Sequence, residues 1–383
     1  MKHIFVLGSK GIPANYGGFE TFVDKLVSGK KSSEITYHVT CLADNNSEFY
    51  YNHTHCMNIY VKKIGAATAV LYDLLSLRRC IDYIRKNNIE DATIYILACR
   101  IGPFIKWYSR ILGNLGIKFY LNPDGHEWKR SKWNKFIKMY WKYSEKNMVK
   151  YSNLVICDSI GIKDYIDEEY KSYSPSTVFI PYGADLRKKQ VLDKLELDKW
   201  LKMFSIDSEE YYLIVGRFVP ENNYELMIKE FMNSKTKKDL VIITNYSENK
   251  FYQELLNKTK FNKDKRIKFV GTVYDQNLLT QIRENAYAYL HGHEVGGTNP
   301  SLLEAMATTK INILFDVVFN REVGLNSAIY FNKVEGNLAK VINSTDNMSM
   351  SEIETLAKNA KERIELNYSW GSVIEKYENK FIN

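Results

Sequence analysis

The stretch His291-Gly292-His293-Glu294-Val295-Gly296-Gly297-Thr298-Asn299-Pro300-Ser301-Leu302-Leu303-Glu304-Ala305-Met306-Ala307 decides how the chain is read. It follows a strand-forming run at 286–290 and leads into helix formers at 301–308, opened by a proline one position earlier. Strand, glycine-containing loop and helix start, in that order, make a cradle for an anion. The glycines let backbone approach, and the unpaired N–H groups of the helix point at negative charge. Carboxylates flank the loop at Glu294 and Glu304. Such groups suit ribose hydroxyls, or positive charge developing on a sugar, better than they suit phosphate. The stretch therefore points to a nucleotide-sugar site. The competing reading is a plain strand-to-helix turn, since one glycine-rich loop is a weak signal.

At 383 residues the chain predicts two domains of ordinary size, and 45% apolar content provides for their cores. No apolar run reaches the ~18–20 residues that a membrane-crossing helix needs. Residues 1–8 read as a first strand ending at a glycine turn, not as a signal peptide, which predicts a cytoplasmic protein. Five cysteines (Cys41, Cys56, Cys80, Cys99, Cys157) lack metal spacing, and their odd number predicts buried thiols. His53, His55 and Cys56 lie close together, but nothing nearby completes a ligand set, so 53–56 reads as loop and no metal is expected.

The net charge of +8 is uneven. Between Arg100 and Lys150 there are 12 basic residues against Asp124, Glu127 and Glu145, so the rest of the chain sums to −1. The same segment holds four of the six tryptophans. A basic, aromatic patch suggests an anionic partner surface, membrane lipid or nucleic acid. Within it, Trp133, Phe136, Ile137, Tyr140 and Trp141 fall on one helical face, and Lys135, Lys138, Lys142 and Lys146 on the other. That pattern fits a surface helix with its aromatics in the core, or a helix lying in a membrane interface. Lys106, Trp107 and Arg110 nearby, with Lys132, Trp133 and Lys135, are the candidate membrane contacts.

Upstream, a strand at 2–8 runs into the glycine-rich loop 8–18 and then a helix with Phe19, Phe22, Val23, Leu26 and Val27 on one face. This opening is not the dinucleotide fingerprint, so nicotinamide use is not predicted. Glu20 suits the helix dipole there, or a sugar contact. Strand-like runs recur at 36–42, 59–63, 93–98, 117–121, 153–157 and 177–180, separated by helical stretches. A second series occupies 211–215, 240–244, 267–269, 287–290 and 310–315. Such alternation predicts α/β domains with parallel sheets, which bind ligands at the carboxyl ends of their strands.

These residues, taken together, resemble the retaining GT-B glycosyltransferases of the GT4 family. The matching pieces are Gly17-Gly18-Phe19-Glu20, Ile180-Pro181-Tyr182-Gly183-Ala184-Asp185, Gly216-Arg217, Gly271-Thr272-Val273, Pro300 through Ala307, and Tyr368-Ser369-Trp370. They span nearly the whole chain in order. The forms at 8–18, Asp124-Gly125-His126-Glu127-Trp128 and 296–301 look like bacterial rhamnosyltransferases of streptococcal capsule and cell-wall polysaccharide assembly. The resemblance implies two Rossmann-like domains facing a cleft: residues 1–190 for a membrane-associated acceptor domain, 191–365 for the nucleotide-sugar domain, and 366–383 for a helix returning to the first. It implies transfer of L-rhamnose from dTDP-L-rhamnose to the 4-hydroxyl of glucose or N-acetylglucosamine on undecaprenyl diphosphate. The enzyme would be metal-independent and peripheral on the inner face of the cell membrane.

Carried over by position, Glu304 holds the donor ribose, Gly297, Thr298, Asn299, Pro300, Ser301 and Leu302 cradle the diphosphate, and Arg217 meets the leaving group. Gly17 and Gly18 let the first loop close on the diphosphate, and Tyr274 neighbours the base. His126, Glu127, Asp158 and Tyr182 recognise acceptor and sugar, and the leaving phosphate itself takes the acceptor's proton. Two departures stand out. Eight positions before Glu304 the family has a glutamate where this chain has Gly296, and Glu294 stands in only if Thr298-Asn299, or neighbours, are a two-residue insertion. Where the family has a phosphate-binding lysine after its arginine, this chain has Asn222, which leaves Lys10 and Lys250 as substitutes. The alternatives are a UDP-sugar donor on the same fold or, in another class, a non-catalytic protein that binds anionic lipid or nucleic acid.

Overall fold

A computed structural model describes the whole chain except residues 15–16, 131–132, 185–193, 247–248 and 296 and the side chain of Ala66. It divides into two compact units, Met1–Gly183 with Trp370–Asn383, and Ala184–Ser369. The domain boundary expected at 190/191 falls outside the described residues.

The first unit contains β1 (Lys2–Leu7), β2 (Ile35–Ala43), β3 (Glu48–Tyr51), β4 (Thr54–Tyr60), β5 (Ala92–Leu97), β6 (Lys118–Asn122), β7 (Leu154–Cys157) and β8 (Thr177–Phe179). They form one sheet in the order β3-β4-β2-β1-β5-β6-β7-β8. All neighbours are parallel except β3 with β4. Ile4 to Leu7, and all six residues of β5, are buried, as expected of central strands covered by helices on both faces. The order reverses between β1 and β5. In an open parallel sheet that reversal opens a crevice at the strands' carboxyl ends.

Segment 53–56, expected as loop, is instead mostly strand. Asn52 and His53 both take positive φ and close a two-residue hairpin, a turn whose twist matches the flanking strands. This puts His55 in β4 and builds a histidine chain across three strands. His3 Nδ1 meets His38 Nε2 at 2.9 Å, His38 Nδ1 meets His55 Nδ1 at 3.0 Å, and His55 Nε2 meets Glu48 Oε2 at 2.9 Å. Burial, then the neighbouring His55 and His3, push the His38 imidazole down to about 3.

The last helix, Trp370–Ile382, belongs to the first unit. Its Tyr377 packs on Phe22 and shares a hydroxyl contact of 3.2 Å with Tyr95, and Phe381 stacks on Tyr120. Buried Glu378 accepts from the amides of Lys31 and Ser32 at 2.9 and 3.0 Å. At the chain's exit, a Cβ on Gly183 would lie 2.4 Å from the Trp370 indole, so only glycine fits.

The second unit contains β9 (Tyr211–Val215), β10 (Asp239–Ile243), β11 (Ile267–Gly271), β12 (Ala288–His291), β13 (Ile311–Phe315) and β14 (Ile329–Phe331). Its all-parallel sheet runs β11-β10-β9-β12-β13-β14, reversing between β9 and β12. β3 and β14, short strands at the sheet edges, are not among the strand-like runs expected from the sequence.

Two outcomes follow for the first unit. Glu378→Ala strips charged acceptors from two amides and should destabilise it by about 2–4 kcal/mol, read as faster hydrogen exchange at Lys31 and Ser32. His38 stays neutral when folded, while an unfolded histidine takes a proton below its ordinary 6.5. Its contribution is complete above that pH and is lost on acidification toward 3. Denaturant titrations from pH 7 to 4 should show up to about 3 kcal/mol of this loss in the wild type and less in His38→Phe.

Candidate functional site

The reversal in the second unit brings together the loops after β9 and β12. After β9 come Gly216 and Arg217, the latter with its side chain exposed, and after β12 comes the loop into helix Pro300–Thr308. These loops approach closely. A Cβ on Gly292 would sit 2.3 Å from the Asn222 carbonyl oxygen. Asn222 Nδ2 donates to the Arg217 carbonyl at 2.7 Å, and its Oδ1 meets His293 Nδ1 at 3.0 Å. Asn223, in the left-handed region at φ 54°, donates to the Gly292 carbonyl at 2.9 Å and to Glu294 Oε2 at 3.1 Å. Asn222, expected as a donor ligand in the place of a lysine, thus has its amide engaged in tying one loop to the other.

Glu294 bonds Lys333 through both oxygens, at 2.7 and 2.8 Å. Glu304 extends from the helix Pro300–Thr308, about one-third exposed, with Oε2 2.7 Å from Arg283 Nη2. Not every amide expected to cradle a diphosphate can do so. Pro300 has no N–H. The amide of Ser301 donates to its Asn299 cap at 2.9 Å, and that of Leu302 to the Asn299 carbonyl at 3.0 Å. Spacing reveals the helix start but not which amides its own cap occupies. Gly297 and Thr298 lie ahead of that cap, with Thr298 buried, and Gly296 is outside the described residues. Tyr274 is 72% exposed in the loop after β11. Of the substitute lysines, Lys250 is exposed with Glu254 at 3.7 Å, and Lys10 is exposed in the first unit.

In the first unit the loop after β1 is held from below. Gly8, at φ +99°, sits where a Cβ would be 2.3 Å from the Leu97 carbonyl oxygen, and Arg100 Nη1 donates to the Gly8 carbonyl at 2.8 Å. Arg100 also pairs with fully buried Asp73 at 3.1 Å; burial raises that carboxyl to about 6 against the pull of Arg100. Glu20 accepts from the Lys10 amide at 2.8 Å and Asp24 from the Ala14 amide at 2.8 Å. Glu20 therefore pins the loop, beyond any effect on the helix dipole. Gly17 takes φ +131°, and a Cβ on Gly18, which opens helix Gly18–Ser28, would meet open space.

His126 is buried, 4.4 Å ring to ring from Tyr165, and burial with Lys129 and Lys142 pushes it down to about 4. Glu127 bonds Arg130 at 2.6 Å and the Trp133 indole at 2.9 Å. Asp158 and Tyr182 are buried, Tyr182 against Phe22 at 5.4 Å. A small pocket at the carboxyl ends of β5 and β6 is lined by Asp124, Glu127, Trp128, Trp141 and Glu145 among others. Its carboxylates are engaged by the protein itself, Glu127 by Arg130 and Trp133 and Glu145 by the Tyr165 and Tyr170 hydroxyls.

The aromatic stripe is rearranged relative to expectation. Trp133 turns to Glu127, Tyr140 donates to the Arg100 carbonyl at 2.6 Å, and Trp141 is half-buried. Lys142, expected on the solvated face, lies over Trp128 at 4.7 Å and bonds Glu169 at 2.8 Å. The face presented to solvent by helix Lys135–Tyr151 carries Phe136, Met139 and Tyr143 instead. Helix Gly102–Asn114 packs beside it, with Gly102 N donating to Ser144 Oγ at 2.7 Å, and exposes Phe104 and Trp107. Lys106, Arg110, Lys135 and Lys146 are exposed too, and Lys132 is outside the described residues. Among the described residues, no helix is long and apolar enough to cross a membrane.

Residues 1–185 match the family described as a domain of unknown function (DUF1972), and residues 198–363 match Glycosyl transferases group 1. No curated protein sequence matches the chain. The chain is similar to the solved structure of sucrose-phosphate synthase from Thermosynechococcus elongatus, with TM-score 0.77 and 15% identity over 100% of this chain and 98% of that one. It is similar to Anabaena HepE in complex with UDP, with TM-score 0.71 and 13% identity over 99% of each chain. A third similar structure is an α,α-trehalose-phosphate synthase (UDP-forming) from Burkholderia xenovorans in complex with glucose-6-phosphate, with TM-score 0.73 and 12% identity over 100% of both chains. At such identities these likenesses show the fold alone. The chain folds as GT-B proteins do, and its residues 198–363 belong to the family Glycosyl transferases group 1.

Proposed function

We propose that the protein transfers L-rhamnose from dTDP-L-rhamnose to the 4-hydroxyl of a glucose or N-acetylglucosamine on undecaprenyl diphosphate. It does so with retention and without a metal, in bacterial capsule or cell-wall polysaccharide assembly. One observation carries the nucleotide-sugar reading: exposed Arg217, half-buried Glu294 and Glu304, and the N-terminus of helix Pro300–Thr308 all gather at the carboxyl ends of β9 and β12. A guanidinium there neutralises a leaving diphosphate as the glycosidic bond breaks, and it does so with little reorganisation. Glu304 takes a hydroxyl of the nucleoside sugar, the segment 297–299 approaches the diphosphate, and Tyr274 lies against the base. The leaving phosphate accepts the acceptor's proton, so no side chain acts as base.

The rhamnose and thymine assignments rest on the resemblance of the segments 8–18, 124–128 and 296–301. A UDP-sugar is the second reading, favoured by the UDP in the HepE complex and by the UDP-forming trehalose-phosphate synthase. The acceptor belongs to the first unit, where Asp124, Glu127 and Trp128 line the pocket. The exposed Phe104, Trp107, Phe136 and Met139, among lysines and arginine, fit the anionic inner face of a cell membrane that carries a lipid-linked acceptor. Nucleic acid is not a partner in this reading.

Glu304→Ala should lower transfer by roughly 100-fold and leave binding to anionic vesicles intact; turnover within a few-fold of wild type would refute the donor site. A donor panel with a glucosyl- or N-acetylglucosaminyl-diphosphate lipid, in EDTA, should give product from dTDP-L-rhamnose. Product from a UDP-sugar alone would select the second reading. The combined Trp107→Glu, Phe136→Glu and Met139→Glu variant should bind anionic vesicles at least about 10-fold more weakly while turning over a short-chain soluble acceptor normally.

A further inference from the structure

The group behind Glu304 has no place in the family's motifs as read from the sequence. Arg283 closes the helix Gln276–Glu284 and is only 2% exposed. A guanidinium cannot lie there without compensation, because the desolvation of an unpaired charge costs several kcal/mol. Its Nη2 donates to Glu304 Oε2 at 2.7 Å and reaches Ser301 Oγ at 3.4 Å. Those two residues lie three apart on helix Pro300–Thr308, on the same face. Ser301 Oγ reaches the Val215 carbonyl at 3.2 Å and the Tyr289 hydroxyl at 3.1 Å, and that hydroxyl reaches the same carbonyl at 3.1 Å. One buried cation thus connects the end of β9, strand β12 and the helix that carries Glu304.

The geometry points to Arg283 as a positioning residue: it holds the Glu304 carboxylate by Oε2 so that Oε1 is presented to a hydroxyl of the nucleoside diphosphate's sugar. This inference rests on the donor reading proposed above. A long, one-third-exposed glutamate would otherwise sample several rotamers and lose entropy on gripping a ligand. Held from behind by a charge-assisted hydrogen bond, it meets the hydroxyl already oriented. Both contacts run from the one nitrogen Nη2, whose direction the rigid planar guanidinium fixes, whereas the ammonium of lysine turns at the end of a flexible stem.

The test is the affinity of the full-length protein for dTDP and for its 3′-deoxy counterpart, measured by calorimetry, with UDP and 3′-deoxy-UDP as a second pair. The preference for the hydroxyl-bearing nucleotide reads the Glu304 grip and does not move with overall stability. Wild type should prefer it by about 10-fold, and Glu304→Gln should lose most of that preference. Arg283→Lys should reduce it to about 2–3-fold, and the double variant should be no worse than Glu304→Gln alone. A full preference in Arg283→Lys, or losses that multiply in the double variant, would overturn the inference. Should wild type show no preference while Glu304→Gln binds every nucleotide as wild type does, the donor reading of Glu304 fails, and the role of Arg283 with it. Arg283→Gln provides a stronger perturbation where it folds; Arg283→Lys keeps the charge and carries the test where it does not.

Discussion

The second unit depends on how closely two loops can approach at the point where its sheet reverses. Connections that leave the parallel strands β9 and β12 in opposite directions, to β10 and to β13, open a gap at their carboxyl ends, and this chain draws the gap shut on one side. Gly292 lies against the Asn222 backbone with no room for a methyl group, and the two asparagines Asn222 and Asn223 bond across to His293, Gly292 and Glu294. Packing this close does not deform gradually. Arg217 and the start of helix Pro300–Thr308 therefore keep a fixed relation to one another, which a site acting on developing charge needs.

The first unit meets the same problem with charge. The loop after β1 is anchored by Arg100, which also compensates the fully buried carboxylate of Asp73. From the helix that follows, Glu20 and Asp24 accept two loop amides. The result is a glycine-rich loop supported at several points, with Gly18 left facing open space. Both units thus brace a glycine-containing loop at a sheet reversal, one by asparagine side chains and the other by carboxylates and an ion pair.

Much of this was legible in the residues. Continuous apolar runs between helical stretches identified parallel sheets, and the order of glycine loop, Pro300 and Glu304 located a helix start at a strand end. Less visible were the contributions of residues far apart in sequence. Asn222 reads as a phosphate ligand by position, yet it braces the turn at Arg217. Lys142 reads as a solvated residue and Trp133 as part of an aromatic stripe by helical phase, yet Lys142 turns to Glu169 and Trp128 and Trp133 to Glu127. Residues 53–56 read as loop without a metal, yet a tight hairpin places Thr54 to Cys56 in a strand. No local pattern marks Arg283, because its partners come from another helix.

Periodicity, glycine placement and charge distribution are properties of neighbours along the chain, so the sequence by itself determined two α/β units, the cradle after β12 and the basic aromatic segment. Which amides are already capped, which carboxylate is backed by a buried cation, and which aromatics face outward were decided only in the tertiary structure. The physical reason is that hydrogen bonds and ion pairs are satisfied by whatever the fold brings within about 3 Å, and that proximity is set by packing between elements rather than by spacing within one.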